Sequence, residues 1–359
     1  MSFSLPLYVR YLVRLYVKNL LITLFGLSFT FAIIDYFQRM QQVDIAGNYK
    51  ILYIFYMWQE ALGLLYPLAI VFALIMTKIS LIKHNTMGAF HAFGFSKKRL
   101  LQPLFWSAFV CYLLFALLQM SSFSYAKERA HLLLKNEIES YNVNDIFFKY
   151  NDDFVYIHAL DPLQKRIDEI TIFNVKNNQV QYTIHAPYAL FNGEAWHAKD
   201  AVVKTHLYHQ GRLIHYRIEK KETLVTLKGY KPKIIESLYE GKSLSVLDAY
   251  YTWRLLSKQH INTDKIRALV YSKLVMPLFS LALLVILFLK LPFHSRMMSV
   301  GSVVALSLGV TFVIWGLLFG LNQIGSNGVL APELTVVLPI VLLWLYTFFL
   351  YWYDEKQIG

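Results

Sequence analysis

Ile167-Asp168-Glu169-Ile170-Thr171-Ile172-Phe173-Asn174-Val175 reads as a β-strand, rich in β-branched residues and placed between the turn pairs Asp161-Pro162 and Asn177-Asn178. Five further segments have the same character: residues 154–158, 179–184, 201–208, 215–218 and 223–227, with Asn192-Gly193 and Gln210-Gly211 as additional breaks. Short strands at this spacing predict an all-β domain, a sandwich, open barrel or jelly-roll-like fold. Helices flank it. Residues 124–139 have helical composition, and residues 244–259 read as a helix opened by Ser243 as a possible cap.

This water-compatible middle, residues 122–267, holds 21 of the 35 Lys and Arg and 17 of the 23 acids. Outside it the chain is apolar. The 359 residues are 56% hydrophobic, with a mean hydropathy of +0.41, which excludes an ordinary soluble domain. A span needs roughly 20 mostly apolar residues to cross about 30 Å of hydrocarbon. Six stretches qualify, at residues 15–34, 51–77, 100–120, 268–289, 300–322 and 334–353. The predicted organisation is therefore residues 1–121 with three membrane helices, 122–267 as the β-domain with its flanking helices, and 268–359 with three more. Arg10, Arg14 and Lys18 precede the first run, and no small-residue cleavage site follows it, so it reads as a retained span. Cys111 is the single cysteine and allows no disulfide within the chain.

The formal charge of +12 does not point to nucleic acid, because eleven cations sit in short segments between or beside the apolar runs. They are Arg10, Arg14, Lys18, Lys78, Lys83, Lys97, Lys98, Arg99, Lys290, Arg296 and Lys356, all on one side of the membrane. The opposite short loops hold only Arg39 and Lys50. This bias predicts cytoplasmic termini and puts the β-domain on the far side, the periplasm in a bacterium.

Residues 84–103 form the most informative short loop. A brief amphipathic helix exposes Met87, Phe90 and aromatic neighbours, stops at Gly94, and is followed by Ser96 and three cations. Its plain reading is a surface helix with topology-setting charge. Its sharper reading is a helix that plugs into the groove of a soluble partner. The fifth span carries Gly301, Ala305, Gly309, Gly316 and Gly320 on one helix face, where small residues let another helix approach closely, either from the same chain or from a partner. Glu60, Lys78 and Lys273 lie in or near spans. Lys78 is near enough to the cytoplasmic edge to snorkel. Glu60 and Lys273 pair structurally, or Lys273 joins Arg39, Lys265 and Arg267 in meeting lipid phosphates. Two patterns fail. Gly241-Lys242-Ser243 lacks the earlier glycine of a phosphate-binding loop, and His206, His209 and His215 lack a ligand at metal spacing. No nucleophile has a placed base, so the chain reads as a non-enzyme.

The segment Ala92-Phe93-Gly94-Phe95-Ser96 resembles the Ala-x-Gly-x-Ser coupling segment of the LptF/LptG family, permeases of the lipopolysaccharide-export ABC transporter. Gly328-Val329-Leu330-Ala331-Pro332-Glu333-Leu334 with Leu338-Pro339 is similar to the start of the family's last span. Ala186-Pro187-Tyr188-Ala189 and Gly193-Glu194-Ala195-Trp196 resemble its periplasmic pattern, and the six-span layout agrees. The resemblance implies a heterodimer with a second LptF/LptG-type permease, a cytoplasmic LptB-like ATPase dimer that holds the ATP and Mg, periplasmic LptC/LptA-like bridge proteins, and lipopolysaccharide as cargo. It implies ATPase coupling through Thr86, Met87, Phe90, His91, Phe93 and Gly94, and a gate formed by spans one and five. The β-domain would then shield acyl chains, with Phe154, Tyr156, Ile172 and Trp196 as candidate lining. There are departures. Thr86 stands where relatives place a Glu that salt-bridges the ATPase, and Asp35 leaves Arg39 as the only cation at the outer end of span one. The alternative is an ion-coupled secondary carrier, or a membrane receptor with a periplasmic ligand domain, using Glu60 and Lys273. A lipoprotein-releasing or efflux-type permease would place its large domain after the first span, against this layout.

Overall fold

The structure, a computed structural model, describes residues 6–40, 47–134, 143–162, 164–176, 179–209, 212–240, 244–259, 262–291 and 300–356. The predicted turns at Asn177-Asn178 and Gln210-Gly211, the Ser243 cap, the Gly241-Lys242-Ser243 pattern and Arg296 lie outside these residues.

The apolar runs fold as helices, because a helix satisfies its backbone polar groups within its own segment when no water is at hand. Among the described residues six stretches are long and apolar enough to cross a membrane: Leu7–Arg39, Gly47–Lys83, Lys97–Gln119, Asp264–Lys290, Val300–Ser326 and Glu333–Tyr353. They comprise α1 (Leu7–Met40), α2 (Gly47–Lys83), α4 (Lys97–Gln119), the pair α8 (Asp264–Leu274) and α9 (Leu278–Lys290), α10 (Val300–Ser326), and a π-helical turn (Glu333–Val337) leading into α11 (Leu338–Lys356). Between α2 and α4 sits the short α3 (Thr86–Ala92). The fourth span is interrupted just before Pro277, whose ring and missing N–H suit a helix start and not an interior.

The chain divides into two compact units. The first, residues 1–130, 245–250 and 263–359, contains all six spans. Its hub is α2 with α8–α9, the spans most covered by other parts of the chain, whereas α1 and α10 are the least covered. One face of α1, Leu12, Tyr16, Leu20 and Leu24, is buried at intervals of four, and the Tyr16 hydroxyl donates to the Ile70 carbonyl at 3.0 Å. Lys78 does not snorkel. It is buried, and its Nζ donates to the Phe288 and Leu291 carbonyls at 2.6 and 2.7 Å. The last carbonyls of α9 lack helical partners, and an ammonium satisfies both their hydrogen bonds and the negative end of the helix dipole.

The second unit, residues 131–244 and 251–262, is the β-domain. Strands β1 (Val143–Tyr150), β2 (Asp153–Asp161), β3 (Arg166–Lys176), β4 (Gln179–Phe191), β5 (Trp196–His209) and β6 (Arg212–Thr226) form one antiparallel sheet in sequence order. This meander narrows the jelly-roll-like expectation, and a feature common to every strand bears on it. The pairing ladder skips a row on all six strands, through Asp145, His158, Glu169, Pro187, Asp200 and Glu222, and between β4 and β5 it also omits Ala186 and Ala201. Asp145, Glu169 and Asp200 have φ of 57°, 53° and 53°, and Pro187 has no N–H to give. Buried positions are two apart on either side of the row and three apart across it: Ile157 then Leu160, Ile167 then Ile170, Ala186 then Ala189, Ala198 then Ala201. The side-chain alternation therefore reverses at the row, as it does where strands bend at the corner of a two-layer β structure. All six row residues are exposed.

Residues 227–240 and 251–259 complete this unit with α6 (Pro232–Glu240) and the later part of α7 (Val246–Ser257). α6 buries Ile234 and Ile235 and packs against β1 and β2. Tyr230 stacks on Phe148 at 5.5 Å and meets Tyr150 edge-on at 5.3 Å.

Candidate functional site

The candidate coupling segment is a knob beside α2. Asn85 enters α3 in the left-handed region, with φ 53°. Gly94, with φ 75°, ends it: the Phe95 N–H donates to the Phe90 carbonyl at 3.0 Å and the Gly94 N–H to the His91 carbonyl at 2.9 Å. This is a Schellman closure, which favours glycine at that position. Ser96 then caps α4, accepting from the Arg99 N–H at 3.3 Å. The expected exposure of Met87 is corrected. Met87 is fully buried in the core of the membrane unit, Phe90 packs half-buried beside it, and Phe93 is the apolar side chain presented outward, at 81% exposure. A seven-residue helix lying against the ends of two spans must bury one side, and Met87 is on that side. Thr86 and His91 are half-buried. The knob is braced from below: Phe90 meets Phe95 at 5.6 Å, Phe95 meets Tyr8 of α1 at 4.8 Å, and the Arg99 guanidinium lies 5.1 Å from the Phe95 ring.

The four candidate phosphate-binding cations have different surroundings. Arg39 donates to Asp35 at 3.1 Å, and the Tyr53 hydroxyl donates to the other Asp35 oxygen. Arg267 lies between Asp264 and Glu333, the latter at 2.5 Å, and Glu333 also accepts from the Tyr271 hydroxyl at 3.0 Å. Two carboxylates thus neutralise Arg267 and join the start of the fourth span to the start of the sixth. Lys273 donates to the Ser124 hydroxyl, which donates to Gln119 at 2.8 Å, and it lies within electrostatic reach of Glu60. Lys265 is exposed. Tyr53 and Tyr271 belong to these clusters without having been singled out in the sequence, and Asp35 and Glu333, noted there for other reasons, prove to be the partners of Arg39 and Arg267. Only the Asp35–Arg39 pair, one helical turn apart, had a readable spacing.

On α10, Gly301, Ala305, Gly309, Gly316 and Gly320 are all exposed, and a Cβ added at any of these four glycines would meet nothing within 4 Å. The buried residues Val303, Ser307, Thr311 and Leu318 recur at the same intervals but two positions out of phase. At about 3.6 residues per turn, that is the opposite side. The small-residue stripe therefore faces away from this chain's own spans. Gly325 differs: a side chain there would collide with the Thr335 hydroxyl of the π-helical turn, so this glycine serves packing within the chain.

In the β-domain the four candidate lining residues do not share a face. Ile172 pairs with Val155 and lies with the buried set. Trp196 is also in that set, at 0% exposure, and its indole N–H donates to the Tyr230 carbonyl at 2.6 Å. Phe154 and Tyr156 pair with Phe173 and Thr171 on the other side, where Phe147, Phe154 and Phe173 stack within about 6 Å of one another. The signal available in the sequence was the alternation itself: Val155 and Ile157 fill the buried positions of β2, which puts Phe154 and Tyr156 on the other side.

A sequence model described as the lipopolysaccharide export system permease LptF/LptG matches residues 10–353. No curated protein matches the chain. With its six membrane-spanning stretches, its inserted antiparallel β-domain and a match over nearly its whole length, this chain belongs to the LptF/LptG family of lipopolysaccharide export permeases and is a multi-pass transport subunit.

Proposed function

We propose that the chain is one half of an ATP-driven heteropair of LptF/LptG-type permeases that extracts lipopolysaccharide from the outer leaflet of the bacterial inner membrane. In this reading both termini are cytoplasmic and the β-domain is periplasmic, following the distribution of Lys and Arg. A cytoplasmic LptB-like ATPase dimer holds the nucleotide and Mg, and this chain supplies the mechanical part. LptC/LptA-like bridge proteins receive the lipid.

The observation that carries the reading is the build of the knob. One large apolar side chain, Phe93, is held outward on a glycine-closed turn whose other face is anchored in the membrane unit. Such a feature suits insertion into a groove. Force on it would pass through Phe90 and Phe95 to Tyr8, which is in the first turns of span one. Spans one and five are the least covered of the six, and the outward stripe on α10 suits close approach of a partner helix. Movement of these two spans would open and close a lateral gate. The lipid phosphates would then compete with Asp35 for Arg39 at the outer end of span one.

Co-purification with the ATPase tests this. Phe93→Asp should abolish capture and Phe93→Leu should keep it. Full capture by Phe93→Asp, or a chain that transports lipid with no ATPase bound, would refute the proposal. The second outcome would favour the ion-coupled carrier with Glu60 and Lys273.

A further inference from the structure

The β-domain carries a basic cleft that the reading above does not use. Its volume is about 560 Å³. Two turns form one wall, joined by a hydrogen bond from the Gly229 N–H to the Glu194 carbonyl at 2.9 Å. Gly229 has φ 83° and sits so close to Leu255 that an added Cβ would come within 3.2 Å of that side chain, which pins the turn against α7. The other wall is the side of α7 and its exit bearing Tyr251, Arg254 and Lys258. Lys231 reaches in from the first wall, its ammonium 5.3 Å from the centre of the Tyr251 ring.

Three cations from two separate segments therefore line one open space. Among the described residues the carboxylate lining it is Glu194, which is bridged to a fourth cation, Lys228, at 3.1 Å. Cations near the C-terminal end of α7 also stabilise that helix through its dipole. That accounts for Arg254 and Lys258. It does not account for the room between them, which Lys231 also lines from another segment. Tyr251 adds an aromatic face, 54% exposed, in the middle of the charges. Guanidinium and ammonium groups select phosphate, and a flat aromatic face offers an apolar platform to a sugar ring.

We infer that this cleft binds a phosphorylated sugar, with Arg254, Lys258 and Lys231 on the phosphate and Tyr251 under the ring. The inference rests on the export reading only in taking that sugar to be the headgroup of the transported lipid.

The test uses the full chain in detergent micelles, with a bisphosphorylated glucosamine-disaccharide lipid, the same lipid stripped of both phosphates, and inorganic phosphate as competitor. The paired substitution Arg254→Gln with Lys258→Gln should weaken binding of the phosphorylated lipid about tenfold and leave the stripped lipid unchanged. Arg254→Lys should stay close to wild type, Tyr251→Ala should weaken both lipids, and a photo-crosslinker at position 251 should capture the phosphorylated lipid. Thermal unfolding of each variant at the wild-type temperature separates binding from folding. Unchanged affinity in the paired variant, with no capture at 251, would overturn the cleft while leaving export intact. Displacement by inorganic phosphate with no effect of Tyr251→Ala would overturn the sugar. Failure of the wild-type chain to bind either lipid, together with failure to recruit an ATPase, would remove the export reading and the cleft's ligand with it.

Discussion

Replacing Phe93 by Ala and Met87 by Ala should separate recruitment from folding, although the two residues lie six positions apart on one small element. Fully burying a Phe side chain is worth about 1.5–3 kcal/mol. Phe93 is 81% exposed, so most of that, about 1.2–2.4 kcal/mol, remains to be gained when a partner covers it. Its loss should weaken ATPase binding about 8- to 60-fold. The chain's own stability should change by less than about 0.5 kcal/mol, because the truncated atoms touch little of it. Met87 is fully buried in the membrane-unit core, and truncation there should destabilise by about 2–5 kcal/mol. The assay is a titration of purified ATPase against the chain in micelles, paired with thermal unfolding of the chain alone. Two results would refute the reasoning: Phe93→Ala melting as early as Met87→Ala, or ATPase affinity unmoved by Phe93→Ala.

Gly309→Leu and Gly316→Leu should leave the isolated chain's unfolding unchanged, since both added side chains point into open space, and should disrupt pairing with the partner permease, as read by energy transfer between labelled subunits. Gly325→Ala should instead destabilise the chain by itself, seen in the same melt, because of the Thr335 contact. Lys78→Met should lower thermal stability by about 3 kcal/mol or more, because two buried carbonyls lose a charged donor. Burial pushes the Tyr230 hydroxyl up to about 12, against a Gln259 hydrogen bond that pulls it down. The folded domain thus holds that proton more tightly than the unfolded chain does. Its contribution is complete below about pH 10 and is lost as pH rises to about 12, so alkaline unfolding followed by tyrosinate absorbance should be centred in that window and shift upward in Tyr230→Phe.

The six spans were legible because about 20 apolar residues in a row have few other uses. The β-domain was legible at residues 167–175, where β-branched residues alternate between clear turns. β1 (Val143–Tyr150) was not: Asp145 sits at φ 57° and breaks the alternation of Val143, Ile146 and Phe148, so no period of two survives. α6 was missed as well, being a short helix inside a polar domain. In the candidate coupling segment the helical period separated two sides but could not say which met the membrane unit, and so Met87, expected outside with Phe93, lies on the inner side. The Arg267–Glu333 pair spans 66 residues, a separation that no local pattern reports. The small-residue stripe was plain in the sequence. Its direction became known only when Val303, Ser307 and Thr311 were seen to take the inner side.

The interrupted row through Asp145, Glu169 and Asp200 has a mechanical consequence. Closing or spreading an ordinary sheet across its strands breaks ladder hydrogen bonds on each of them, a penalty that grows with sheet width. Here those bonds are already missing along a single line from one edge to the other. The parts of the sheet on either side of that line are joined at the row by the chain alone, so a change of angle there breaks fewer ladder bonds than it would in a continuous sheet.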